Sequence, residues 1–310
     1  MKSATTAAMV RIPGGTFRMG SERFYPEERP VHHQTVGAFS IDAHEVTNDA
    51  FRRFVDDTGY VTVAERPLDP RLYPGARPEA LVPGAMVFHQ TAKPVPNLDD
   101  WTQWWRYVHG AQWRHPEGPG STIATRGDHP VVHVAYEDAQ AYADWAGKSL
   151  PTEAEWEFAA RGGLDGAIFC WGDTMFPAGK VMANTWLGEF PWLNLRGSTR
   201  TLPVGSFPPN GYGLYDMAGN VWEWTCDWYA ESHTSVPRGA RACCSVERPR
   251  PTMEGSYDPR QPAIKIPRRV LKGGSHLCAP NYCLRFRPAA RSPQMVDTGM
   301  SHLGFRCVVR

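Results

Sequence analysis

Apolar positions recur at helical spacing in three stretches of this 310-residue chain. In the first, Phe51, Phe54 and Val55 fall three and four residues apart behind Thr47. The Thr47 hydroxyl can cap the free amides of a helix start, and Gly59 closes the run. The second runs from Tyr136 to Trp145 and stops at Gly147. The third opens with Thr152-Glu-Ala-Glu155, a capping box in which hydroxyl and carboxylate satisfy each other's free backbone amides. It continues to Arg161 and ends at Gly162-Gly163. Short apolar runs predict strands at 10–12, 36–41, 131–134, 269–272 and 305–309. With 29 Gly and 28 Pro scattered evenly, regular elements should be short and loops long. The least regular long stretch is 66–125, and loops of that length inside a compact domain are usually functional or mobile. No internal repeat is visible.

Composition adds bounds rather than detail. The length allows one large domain or two ordinary ones. At 42% hydrophobic residues, with 12 Trp, the chain can fill a core. A net charge of +1 without long blocks of like charge gives no case for nucleic acid or an anionic membrane as partner. Residues 1–15 lack the apolar core of a secretory signal, and no stretch approaches a membrane span. The expectation is a soluble, cytoplasmic protein, and nothing demands more than a monomer.

The seven cysteines are odd in number and dispersed, unlike a disulfide-stapled secreted domain. Cys170, Cys226 and Cys307 sit among apolar or aromatic neighbours and read as buried small hydrophobes. Cys243 and Cys244 are adjacent, and an unstrained disulfide between sequence neighbours is not expected. Cys278 and Cys283 are different. They lie five residues apart in Lys272-Gly-Gly-Ser-His-Leu-Cys-Ala-Pro-Asn-Tyr-Cys283, with Arg285, Arg287 and Arg291 following. Pro280 argues against a continuous helix, so the sulfurs lie on a loop that can curl one toward the other. Nearby cations favour thiolate over thiol. The spacing permits a disulfide, and two soft thiolates suit Cu(I). Structural zinc needs four ligands, and only His276 is near enough in sequence to add a third. Spacing alone does not choose among these.

Other chemistry is oxygen-rich. Asp216-Met-Ala-Gly219-Asn-Val221-Trp-Glu223 sets two carboxylates around a glycine turn, which suits Ca²⁺ as well as it suits a solvated surface turn. His32, His33, His44 and His133 are scattered without an H-x-x-x-H pair, and neither a G-x-S-x-G elbow nor a phosphate-binding P-loop occurs. Asp99-Asp-Trp-Thr-Gln-Trp-Trp105 can line a peptide groove or pack aromatics beneath a long loop.

Taken in order, several motifs resemble the formylglycine-generating enzymes, the sulfatase-modifying factors. They are Arg11-Ile-Pro-Gly-Gly-Thr-Phe-Arg-Met-Gly20, His44-Glu-Val-Thr-Asn48, His129-Pro-Val-Val-His-Val134, the run from Leu150 through Gly163, and Pro209 through Trp224. The cysteine block with Arg285-Phe-Arg-Pro-Ala-Ala-Arg291 and Leu303-Gly-Phe-Arg-Cys307 completes the series. The resemblance covers nearly the whole chain. It implies one domain over residues 9–310 behind a short tail at 1–8. That domain would be an α+β variant of the C-type-lectin-like fold with little regular secondary structure.

The resemblance further implies O₂-dependent oxidation of a sulfatase cysteine to formylglycine, within a Cys-x-Pro-x-Arg segment of an unfolded or nascent sulfatase. Cys278 and Cys283 would hold Cu(I), with Ser275, Trp222 and Tyr282 beside them. Calcium would be held structurally by the side chains of Asp216 and Glu223 and the carbonyls of Gly219 and Val221. A second calcium site would begin at Asn184 and Thr185, but its partner loop at 192–201 contains no acid. Arg285 and Arg287 serve equally as ion-pair partners or thiolate tuners. Two rival readings are a non-catalytic peptide- or sulfatase-binding module of the same fold and an iron-dependent oxygenase of the sulfoxide-synthase type.

Overall fold

A computed structural model describes residues 8–233 and 251–310. Cys243 and Cys244 lie outside the described residues. The three predicted helices all form, two of them behind the threonine caps expected. Helix α1, Asn48–Thr58, starts with the Ala50 amide donating to Thr47 Oγ1 and ends at left-handed Gly59. Helix α2 covers Tyr136–Trp145. In α3, Glu153–Arg161, the Glu155 amide donates to Thr152 Oγ1 while the Thr152 amide donates to the Glu155 carboxylate, 3.1 and 2.8 Å. Among the described residues no helix is long and apolar enough to cross a membrane.

The strands are short and change partners. Strand β1, Met9–Ile12, pairs antiparallel with β4, Phe39–Asp42; β2, Gly15–Met19, pairs with β3, His32–Val36. The expected strand over 36–41 is therefore two strands. The cause is a fold-back in register on both sides, Pro13-Gly14 facing Gly37-Ala38. Gly14 has φ +75°, and a β-carbon there would stand 2.6 Å from the Gly37 backbone, so only glycine fits the corner. Strand β11, Val308–Val309, adds to the other side of β4, which puts the two ends of the domain in one three-stranded sheet.

A four-stranded sheet carries the site, in the order β10 (Leu303–Gly304), β7 (Trp222–Trp228), β8 (Arg268–Lys272), β9 (Ser292–Met295). The expected strand over 305–309 is only partly realised: the chain leaves β10 beside β7, turns Arg306 inward, and joins β4 as β11. The segment 131–134 is buried but is no strand. Its Val131 amide binds Val46 O and its His133 amide binds Met300 O, and His133 at φ 60° prevents a continuous ladder. Within 66–125, a hairpin of β5 (Gly84–Phe88) and β6 (Trp105–His109) interrupts the irregular run. The main core gathers Phe51, Phe54, Tyr142, Trp113 and Phe305 between α1, α2 and the chain crossing to β11. The architecture is a single α+β domain with little regular structure, as expected.

Candidate active site

The loop after β8 brings the two cysteines together. Gly273 and Gly274 both have positive φ, and a β-carbon on Gly274 would stand 2.9 Å from the Phe286 backbone. Two tight turns follow: the Cys278 amide donates to Ser275 O at 2.9 Å, and the Cys283 amide to Ala279 O at 2.7 Å. They leave the sulfurs 3.1 Å apart. A disulfide needs about 2.05 Å, and both cysteines are free. Their environments divide the protons. A hydrogen bond from the Cys278 thiol lowers Cys283 to about 7, against the opposing effect of burial and with help from Arg285. Burial, followed by that same contact with Cys283, pushes Cys278 well up. The pair thus favours one shared proton held by Cys278 beside a Cys283 thiolate.

The pair opens into a cleft of about 900 Å³ that Ser275, Trp222, Tyr282, Trp105 and His302 also line. Trp222 is the first residue of β7, and Tyr282 stacks flat on Phe190 with centroids 4.3 Å apart. The segment 99–105 divides between its two expected roles. Asp99 and half-exposed Trp101 face the cleft, while Trp104 is fully buried beneath it against Phe190 and Tyr282. His276 points elsewhere: its Nδ1–H donates to Asn220 O at 2.7 Å, and burial depresses it to about 4. The zinc reading thereby lacks its third ligand.

Arginine roles separate by burial. Arg287 forks onto Glu28 at 2.5 and 3.0 Å, and Arg291 onto Glu153 at 2.8 Å twice; both pairs are buried. Arg285 pairs with Glu27 at 2.7 Å, lies over the Tyr25 ring at 3.8 Å, and is the cation acting on Cys283.

The turn at 216–223 is buried, which removes the solvated-surface alternative: Asp216 is 8% and Glu223 0% exposed. Both stretches considered for calcium meet here. Gly219 lies against Asn184, where a β-carbon would stand 2.3 Å from the Asn184 carbonyl oxygen, and the Asn220 amide donates to that oxygen at 2.8 Å. The Asn184 amide nitrogen donates to Arg200 O and Asn220 Oδ1. Glu223 accepts from Trp156 Nε1 and from Arg306 Nε and Nη2, each at 2.8 Å, and Asp216 accepts from the Gly205 amide. Beside them stands Glu45, fully buried with both carboxylate oxygens unpartnered, and Asp216, Arg306 and Glu223 act electrostatically on it. Among the described residues no three His, Cys, Asp or Glu side chains converge tightly enough to hold a metal unaided.

Sequence reading missed Glu45 and His302. Glu45 lies inside a quoted motif, but nothing in a linear pattern says that its carboxylate is left without a donor. His302 lies just before β10 and reaches the cleft only because β10 pairs with β7. Of the thiols read as buried hydrophobes, Cys170 and Cys307 are buried, while Cys226 is only partly so.

Comparison with known proteins agrees with this geometry. The family model described as sulfatase-modifying factor enzyme 1-like domain matches residues 1–310. A formylglycine-generating enzyme of Mycobacterium tuberculosis is 57% identical over 302 residues, covering 97% of each chain. One from Mus musculus is 44% identical, covering 96% of this chain and 74% of its own. Among solved structures, PvdO from Pseudomonas aeruginosa shares the fold with a TM-score of 0.62 at 23% identity, covering 100% of this chain and 99% of its own. With the family match unbroken from end to end and the cysteine pair poised at the base of a cleft, the chain belongs to the formylglycine-generating enzymes, the sulfatase-modifying factor family.

Proposed function

We propose that this protein oxidises a cysteine of a sulfatase polypeptide to formylglycine, using O₂ and Cu(I) held by Cys278 and Cys283. The observation that carries the reading is the unbonded sulfur pair, 3.1 Å apart, opening into a cleft of about 900 Å³. The donor set fits the ion: two soft sulfurs, one already inclined to thiolate, with no third acid or imidazole crowding them. When bound, Cu(I) supplies the electron that lets O₂ begin oxidation of the substrate's β-carbon. Overall, O₂ takes two electrons from the cysteine and two from a thiol reductant. The products are the aldehyde, H₂S, water and the disulfide of the reductant. The chain's own residues hold the geometry. Cys283 offers the thiolate and Cys278 yields its proton when both sulfurs are engaged. Trp222 and Tyr282 wall the cleft, and Asp99 and Trp101 also line it where a peptide would enter.

Calcium at the 216–223 turn is part of the same proposal. Three buried carboxylates, Glu45, Asp216 and Glu223, face one guanidinium, Arg306, and Glu45 has no donor for either oxygen. A divalent cation ligated by Asp216, Glu223 and the carbonyls of Gly219 and Val221 would balance that charge with hard oxygens. Asn184 and Thr185 support a second ion less. The loop at 192–201, which would bring the remaining ligands, contains no carboxylate.

Mass spectrometry of a Cys-x-Pro-x-Arg peptide, incubated in air with Cu(I)-loaded protein and a thiol reductant, tests the activity. An aldehyde trapped by a hydrazine, and absent with Cys278→Ser and Cys283→Ser, is the expected result. Two-thiolate copper binding without conversion would point to a different substrate. Loss of both would favour a non-catalytic binding module. For calcium, adding the ion to chelator-treated protein should raise Tm, and Asp216→Asn should abolish that rise.

A further inference from the structure

Ser275 is fully buried at the foot of the cleft, and its hydroxyl oxygen has two polar neighbours in the protein. The Leu277 amide donates to it at 3.2 Å, and His302 Nδ1 lies 3.1 Å away. The Ser275 amide in turn donates to Cys278 Sγ at 3.4 Å, so the serine sits against the sulfur pair. His302 is held firmly. Its carbonyl accepts from the Trp222 amide at 2.8 Å, its ring stands edge-on to Trp105 at 4.8 Å, and β10 begins at the next residue. Burial, with His276 and His133 nearby, holds the imidazole far below its usual range, so the ring is neutral and carries one proton.

A hydroxyl has two lone pairs and one proton. The Leu277 amide occupies one lone pair. If His302 Nδ1 is bare, it captures the serine proton, and Ser275 offers the cleft only an acceptor. If Nδ1 carries the proton, both lone pairs are occupied and the serine proton has nowhere to point but the cleft. The tautomer of His302 therefore decides whether Ser275 is a donor or an acceptor toward whatever oxygen lies above Cys278.

We propose that His302 is a positioning residue that donates Nδ1–H to Ser275 Oγ and so turns the serine hydroxyl toward the cleft as a hydrogen-bond donor. This rests on the oxidase reading above, because a donor aimed beside the sulfurs serves an oxygen that gains negative charge as O₂ is reduced. The proton is only oriented; no covalent step passes through His302.

The first measurement does not need activity. Long-range ¹H–¹⁵N NMR of the whole protein reads the tautomer, and Nδ1 should be the protonated nitrogen, with its shift moving in Ser275→Ala. A protonated Nε2 with bare Nδ1 would overturn the inference, whether or not the protein converts peptide. The second measurement is kinetic. His302→Phe, which keeps a ring without an N–H, should lower kcat on the order of tenfold and leave the peptide KM unchanged. His302→Asn, whose amide can donate from nearly the same place, should recover most of kcat. In a Ser275→Ala background, His302→Phe should cost nothing further. An equal loss with and without the serine would assign His302 to packing instead. If wild-type protein converts no peptide while Nδ1 is protonated and responds to Ser275→Ala, the oxidase reading fails and the His302–Ser275 arrangement stands.

Discussion

Three arginines follow Cys283, and burial divides their work. Arg287 and Glu28 are withdrawn from water almost completely, at 1% and 0% side-chain exposure, whereas Arg285 retains 26%. A buried pair contributes little over an apolar replacement of both partners, but removing one partner strands a charge. Arg287→Met should therefore destabilise by about 3–5 kcal/mol. Arg285→Met should cost about 1 kcal/mol, since Glu27 can still reach solvent. Urea titrations of the two variants check the contrast, and equal losses would mean that burial does not govern these pairs. Arg285 also acts electrostatically on Cys283, so its consequences belong to chemistry more than to folding.

At the scale of elements, α3 shows what local signals can and cannot convey. Its start and stop were legible because a capping box and a paired glycine act within one turn of the chain. Thr152→Ala should cost about 1 kcal/mol, and Thr152→Ser much less, in thermal unfolding. An unchanged Tm in Thr152→Ala would mean that tertiary packing alone fixes the helix. What α3 carries inward was not legible. Glu153, Glu157 and Arg161 are all buried, meeting Arg291, Lys272 and one another, while Trp156 donates to Glu223. Charged residues on a short helix read as a solvent face, and only distant partners make burial affordable. Of the expected strands, 10–12 and 269–272 form as β1 and β8, whereas 36–41, 131–134 and 305–309 depart from expectation for the same reason. The corner at Gly14 and Gly37, and the change of sheet between β10 and β11, depend on what lies across the ladder rather than along it. The site divides likewise. Cys278, Cys283, Ser275 and Tyr282 share one loop and could be read together, whereas Glu45 and His302 arrive from opposite ends of the chain.

At the scale of the molecule, so many ionisable groups are buried that stability must respond to pH, and His133 offers a clean way to measure one contribution. It is fully buried, donates from Nε2 to Pro116 O at 2.7 Å, and has no partner for Nδ1. Burial lowers it to about 4. In the unfolded chain it titrates near 6.5. The sign follows: above about 6.5 both states are neutral at this site and nothing is lost, whereas below it the unfolded state takes a proton that the folded state refuses. Stability should fall between about pH 6.5 and pH 4, by up to about 3 kcal/mol from this group alone. Asp138 works in the opposite direction over much of the same range. Burial raises it to about 7 despite hydrogen bonds from Ala135, Val63 and Tyr60, so lowering the pH protonates the folded state first. The net curve therefore does not isolate either group, but a difference does. Asparagine tolerates the left-handed backbone at position 133 and cannot titrate. His133→Asn will lose some packing energy, an offset that is the same at every pH. The gap between wild type and variant should then shrink steadily as pH falls from 6.5 to 4. Urea unfolding at four or five pH values reads that gap, and a constant difference would mean that the folded protein accommodates a charged His133.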